Sequence, residues 1–172
     1  MLRFLSLYSS INDKLSSAVL SLGAIIVAFV VLALFTSVVE RQISGIGYTW
    51  LNDFPPLLLP WIVFPVVGVL LRYDQHVSVE LFLTKLDARG RSLVRLIVYF
   101  TCTVAGITFG LATTEAVLFL KELGEVSETE VKIPIWTLYL SFPVGFILMA
   151  NFAFERALIE CYHLFMNDDV QA

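Results

Sequence analysis

Between Lys14 and Glu40 the chain carries no charged side chain, and this stretch restricts the fold more than any other. Residues 17–39 suffice, at about 1.5 Å of rise each, to cross a hydrocarbon core of about 30 Å. Lipid offers no water to the backbone N–H and C=O groups, so a crossing segment must satisfy them internally, as a helix does. The run begins only after Lys14 and outlasts a typical signal-peptide core. It therefore reads as a retained first span and not as a cleaved leader.

The whole chain follows the same logic. Of its 172 residues 58% are hydrophobic and 15% charged, with a mean hydropathy of +0.84, against roughly half and a quarter in soluble domains. Three more apolar runs follow, at residues 55–71, 92–120 and 134–154. The expected fold class is an all-α integral membrane protein with four transmembrane helices, one membrane domain over residues 1–172. The second run, at about 17 residues, is near the lower limit for a crossing. Pro55 and Pro56 suit a first helical turn, whereas Pro60 and Pro65 each remove a backbone hydrogen bond and predict a bend. Residues 1–16 have a weak amphipathic pattern suggesting a short surface-lying segment. Val79, Phe82, Leu83 and Leu86 share one helical face, which fits an amphipathic interfacial helix over residues 76–87, in contact with membrane lipids. No internal repeat of the inverted-transporter kind is visible.

Loop charge sets the orientation. Arg72, Lys85, Arg89, Arg91 and Arg95 flank the middle loop, and Arg3 and Lys14 lie in the N-terminal tail. By the positive-inside rule both termini are cytoplasmic, N-in/C-in. The loop between Lys121 and Lys132 then lies outside, with Glu122, Glu125, Glu128 and Glu130. It can be read as a footprint for a soluble partner, together with Asp53, or simply as an outer loop without excess positive charge.

Ionisable residues within spans are functional candidates because charge there is costly. Glu115 can form an intramembrane ion pair with Arg41, or alternatively couple to a proton or cation. Glu155 is expected to pair with Arg91 or Arg95. His76 and His163 fall at span ends, and no His/Cys/Asp cluster has zinc spacing, so no metal or cofactor is expected. Cys102 and Cys161 read as apolar thiols. No basic cluster tracks a phosphate backbone, which argues against nucleic acid. No nucleophile or acid–base motif supports an enzyme.

Several residues, taken in order, resemble the small membrane subunit of tripartite ATP-independent periplasmic (TRAP) transporters, the DctQ-like family. They are Arg41-Gln42, Trp50 with Asp53, Gly68 and Arg72 in and after an apolar span, and His76-Val77-x-Val79. Ile133-Pro134-x-Trp136, Tyr139, Pro143, Gly145 and Met149 complete the pattern. Where the family commonly has two acids after the tryptophan, this chain has Asn52-Asp53. The resemblance implies a small non-catalytic scaffold subunit in the bacterial inner membrane. Its partners would be a large elevator-type membrane subunit, driven by a sodium gradient, and a periplasmic substrate-binding protein that delivers an organic acid. By the same resemblance Arg41, Trp50, Gly68, Arg72, His76 and Pro143 are structural or orienting residues. The alternative is a self-sufficient four-span homodimeric exporter, which would want an acidic residue in the middle of the first span; residues 17–39 contain none.

Overall fold

The computed structural model describes residues 2–45, 47–73 and 87–168. Six helices account for nearly all of them: α1 (Leu2–Ser44), α2 (Thr49–Leu57), α3 (Leu59–Arg72), α4 (Ala88–Leu123), α5 (Ile135–Tyr139) and α6 (Ser141–Asp168). Among the described residues, four helical stretches are long and apolar enough to cross a membrane: α1, α2 with α3, α4, and α5 with α6. The interfacial helix expected over residues 76–87 falls outside the described residues except for Asp87, which precedes α4.

Helix α1 runs unbroken for 43 residues, roughly 65 Å at the usual rise. It contains no proline, and its one glycine, Gly23, lies against Val66. In place of the surface segment expected at residues 1–16, the residues from Leu2 onward form the opening of this same helix. Asn12 and Ser16 are buried there against other helices, which holds the end in helical register instead of leaving it to lie flat. Gly45, with φ of 67°, ends the helix in a conformation that costs glycine nothing.

The second crossing begins earlier than its prolines suggest. Helix starts at Thr49, so the span covers 24 residues, not the minimal length expected. Pro55 and Pro56 lie inside α2, where they remove the donors that the carbonyls of Leu51 and Asn52 would otherwise receive. The helix breaks at Leu58, whose N–H donates to Pro55 O at 3.1 Å. Pro60 then falls in the first turn of α3, where a missing N–H costs little. Only Pro65 is internal to α3, and it is buried. A second proline break separates α5 from α6. Pro143 offers no N–H to Tyr139, and the turn at Leu140 is closed instead by Leu140 N–H to Trp136 O at 3.0 Å.

The crossings stand in an open row: α1, then α2 with α3, then α6, then α4. Helices α1 and α4 occupy the two ends and are the least buried. Small residues set the central spacing. A Cβ on Gly68 would lie 2.8 Å from Met149 N, and one on Gly145 would lie 2.6 Å from Phe64 C. Thus α3 and α6 touch backbone to backbone, running parallel. On the other side of α6, a Cβ on Gly106 would lie 2.9 Å from Phe146 O, while Gly110 has 3.5 Å to Ile147. Of the two glycines in this G-x-x-x-G, Gly106 is the one at close-approach distance, as small residues commonly are between membrane helices. Phe64, Phe142, Phe146 and Phe109 fill the space around these crossings, with centroids between 4.0 and 6.0 Å apart. Along α4 the hydroxyls of Thr101, Thr103, Thr108, Thr113 and Thr114 all return to carbonyls in the preceding turn. Their polarity is therefore hidden from lipid.

Candidate functional site

The largest polar assembly centres on Arg72, the last residue of α3. Its side chain is 6% exposed, and that of Glu155 on α6 is 2% exposed. The two form a fork: Nε donates to Glu155 Oε2 at 2.8 Å and Nη2 to Oε1 at 3.0 Å. Nη1 reaches Asp13 Oδ1 at 2.8 Å and Ser16 Oγ at 3.1 Å, both on α1, and Nη2 also donates to Ser9 O at 3.2 Å. All five guanidinium N–H groups thus have acceptors. The guanidinium carbon also lies 5.8 Å from the Phe152 ring and 5.9 Å from the Tyr73 ring, a favourable placement for a cation.

The network extends outward. Asn12 Nδ2 donates to Glu155 Oε2 at 2.8 Å, Asn151 Nδ2 to Asn12 Oδ1 at 2.9 Å, and Tyr8 OH to Asn151 Oδ1 at 2.8 Å. Arg156 Nε donates to the main-chain oxygen of Arg72 at 2.6 Å, satisfying a carbonyl that the end of α3 leaves without an intrahelical partner. Three helices are thereby tied at one level. With every Arg72 donor taken, the cluster acts as a clamp and offers this guanidinium to no ligand.

Glu155 therefore does not pair with Arg91 or Arg95, as its position near the end of the fourth apolar run suggested. Arg95 Nη1 instead meets Glu160 at 3.4 Å. The cause is register: Glu155 lies on the face of α6 that meets α3 and α1, while Glu160, five residues later, lies toward α4. Arg41 and Glu115 are both exposed, and no ion pair joins them among the described residues. His76 lies outside the described residues. Cys102 and Cys161 are free and half-buried.

At the opposite end, Trp50 is 40% exposed in the first turn of α2, and Asp53 is half-buried one turn on. Ser37 Oγ of α1 donates to Asn52 Oδ1 at 2.9 Å. Trp61 Nε1 donates to Thr137 O at 3.2 Å, so α3 is tied to α5. The loop after α4 turns on Gly124, with φ of 66°, and folds around buried Ser127. Ser127 N–H donates to Ile133 O at 2.8 Å, and its hydroxyl donates to Val131 O at 3.0 Å. Glu122, Glu125, Glu128 and Glu130 are exposed on and beside this loop. Glu130 Oε2 also accepts the Trp50 N–H at 3.1 Å, and Lys121 Nζ sits 5.4 Å from the centroid of the Trp136 ring.

Of the residues singled out in the sequence, Gly68 lies at the α3–α6 contact, Arg72 at the centre of the polar cluster, and Pro143 is buried at the α5–α6 break. Sequence reasoning missed Asn12, Ser16, Asn151, Gly106 and Gly110. Each left a trace: Tyr8, Asn12 and Ser16 recur every four residues on one face, as do Asn151 and Glu155. Gly106 and Gly110 spell G-x-x-x-G within an apolar run.

One comparison with known proteins is informative. The family model described as tripartite ATP-independent periplasmic transporters, DctQ component, matches residues 30–161. Neither the curated proteins nor the solved structures contain a match.

Proposed function

The chain belongs to the DctQ family of TRAP-transporter small membrane components, and from that premise we propose that it is the static scaffold of a sodium-driven uptake system for organic acids. In this reading it pairs with a large elevator-type membrane subunit in a bacterial inner membrane, with both termini cytoplasmic. A periplasmic substrate-binding protein docks on the Trp50 end, against Asp53 and the acidic loop. Arg41, Trp50, Gly68, Arg72, His76 and Pro143 hold depth, spacing and orientation, and substrate and coupling ion bind elsewhere in the complex.

The open row of crossings is the observation that carries the proposal. A single row has two broad apolar faces and no interior, so a substrate path needs a second subunit along one face. Its central contacts are made by glycines and phenylalanines, and its strongest polar cluster ties helices together at one end. These are features of a part that resists deformation while a neighbour moves.

The decisive experiment is purification of the chain from its native membrane in mild detergent, followed by reconstitution. We expect a stoichiometric larger membrane subunit to co-elute. Uptake in liposomes should require that subunit, a sodium gradient and a soluble binding protein. A homodimer of this chain that transports alone would overturn the proposal.

A further inference from the structure

We infer that Glu130 is a positioning residue that caps helix α2 across the outer surface, joining two loops into one docking platform. The argument starts from the beginning of α2. Its N-cap residue, Tyr48, makes no side-chain capping bond, and the first turn of α2 contains no acidic residue. The N–H groups of a first helical turn have no intrahelical acceptor, and a carboxylate placed there gains from both the hydrogen bond and the helix dipole. Here the carboxylate comes from far along the chain. Glu130 Oε2 accepts the Trp50 N–H at 3.1 Å, across 80 residues of sequence.

The loop that presents Glu130 is braced from within. The Ser127 and Thr129 hydroxyls lie 2.8 Å apart and 3.0 and 2.8 Å from Val131 O, so one proton goes to that carbonyl, on the residue following Glu130, and the other either joins the two hydroxyls or shares the same carbonyl. Ile133 N–H returns to Ser127 Oγ at 3.1 Å, and Ile135 N–H to Glu125 O at 3.0 Å. Glu130 is thus held by a fixed loop, not by a swinging chain. Capping α2 from this position fixes Trp50 relative to the acidic loop. Glu122, Glu125 and Glu128 make no such side-chain bond among the described residues. Their carboxylates are exposed, whereas that of Glu130 is engaged. The acidic residues therefore divide into one that builds the surface and three that present charge on it. The docking role rests on the function proposed above; the cap does not.

Glutamine keeps an acceptor oxygen but not the charge, and alanine keeps neither. The test uses the assembled transporter with its large subunit and binding protein, carrying E130Q, E130A, or the pair E125Q and E128Q. Two quantities are read: amide hydrogen exchange over residues 49–54, and binding-protein-dependent uptake in liposomes. E130A should speed exchange in that segment about fivefold, the size of one lost cap, and reduce uptake severalfold. E130Q, which keeps the acceptor but loses the charge's interaction with the helix dipole, should fall between native and E130A in exchange and stay near native in uptake. Uptake that falls as far in E130Q as in E130A would make Glu130 a contact charge and overturn the inference. So would native exchange in E130A, or native uptake in E130A despite faster exchange. If the E125Q and E128Q pair leaves uptake unchanged, the docking reading of the acidic loop fails, while the exchange result continues to decide the cap.

Discussion

Arg72 and Glu155 depend on each other because each is buried where water cannot replace the other. Truncating one partner of such a pair typically costs about 3–5 kcal/mol, since the remaining charge is left desolvated, whereas replacing both with apolar residues is often neutral. Arg72→Met and Glu155→Met should therefore each lower the thermal unfolding temperature of the detergent-purified protein substantially. The double variant should recover most of the loss, and a double variant no better than the singles would show that the pair is not the dominant interaction. Asp13 touches the same guanidinium, but its side chain is 64% exposed and water can take over its solvation, so Asp13→Asn should cost about 1 kcal/mol or less. Arg72→Lys is not conservative here, because an ammonium group cannot span the Glu155 fork while also reaching Ser16 and Ser9. Composition made it legible that Glu155 needs a cation. Which cation it meets was not legible, because that depends on how α6 is rotated against α3.

Among the helices, the tightest constraint is the backbone contact of α3 with α6. A methyl group at Gly68 or Gly145 meets main-chain atoms at 2.8 or 2.6 Å, and those atoms can move only if the helices separate. Overpacking of this kind costs typically about 1–3 kcal/mol. Gly68→Ala and Gly145→Ala should reduce both the melting temperature and the yield of assembled complex. Gly23→Ala and Gly110→Ala, with 3.5 Å to the nearest side-chain atom, should be tolerated and serve as controls. Tolerance of all four would mean that the crossing is looser than drawn. The crossings themselves were readable from uncharged length, because lipid enforces helix wherever polarity is absent. The ends of the second crossing were not. Proline marks where a hydrogen bond is missing but not whether the helix starts, bends or restarts there, so Pro60 read as an internal break and proves to be in a first turn.

For the molecule as a whole, loop charge predicts N-in/C-in, and labelling tests it. In a background with Cys102 and Cys161 replaced by alanine, Glu128→Cys should react with an impermeant maleimide added from the non-cytoplasmic side of the membrane. Lys14→Cys should react only after permeabilisation, and the reverse pattern would invert the assigned orientation. The family match over residues 30–161 agrees with the resemblance carried by Trp50, Arg72 and the Ile133–Met149 motif. The open-row packing had no counterpart in the sequence, because apolar runs record that a helix is covered and not by what. The clamp also has a consequence in time. Asn12 is synthesised 143 residues before its partner Glu155, and Arg72 precedes Glu155 by 83 residues. At roughly 5–20 residues per second of synthesis, the first helix waits about 7–30 s for the last, and Arg72 waits about 4–17 s. Throughout that interval the nascent chain holds Arg72 without the carboxylate that is buried with it. A ribosome that stops before residue 155 leaves that imbalance in place.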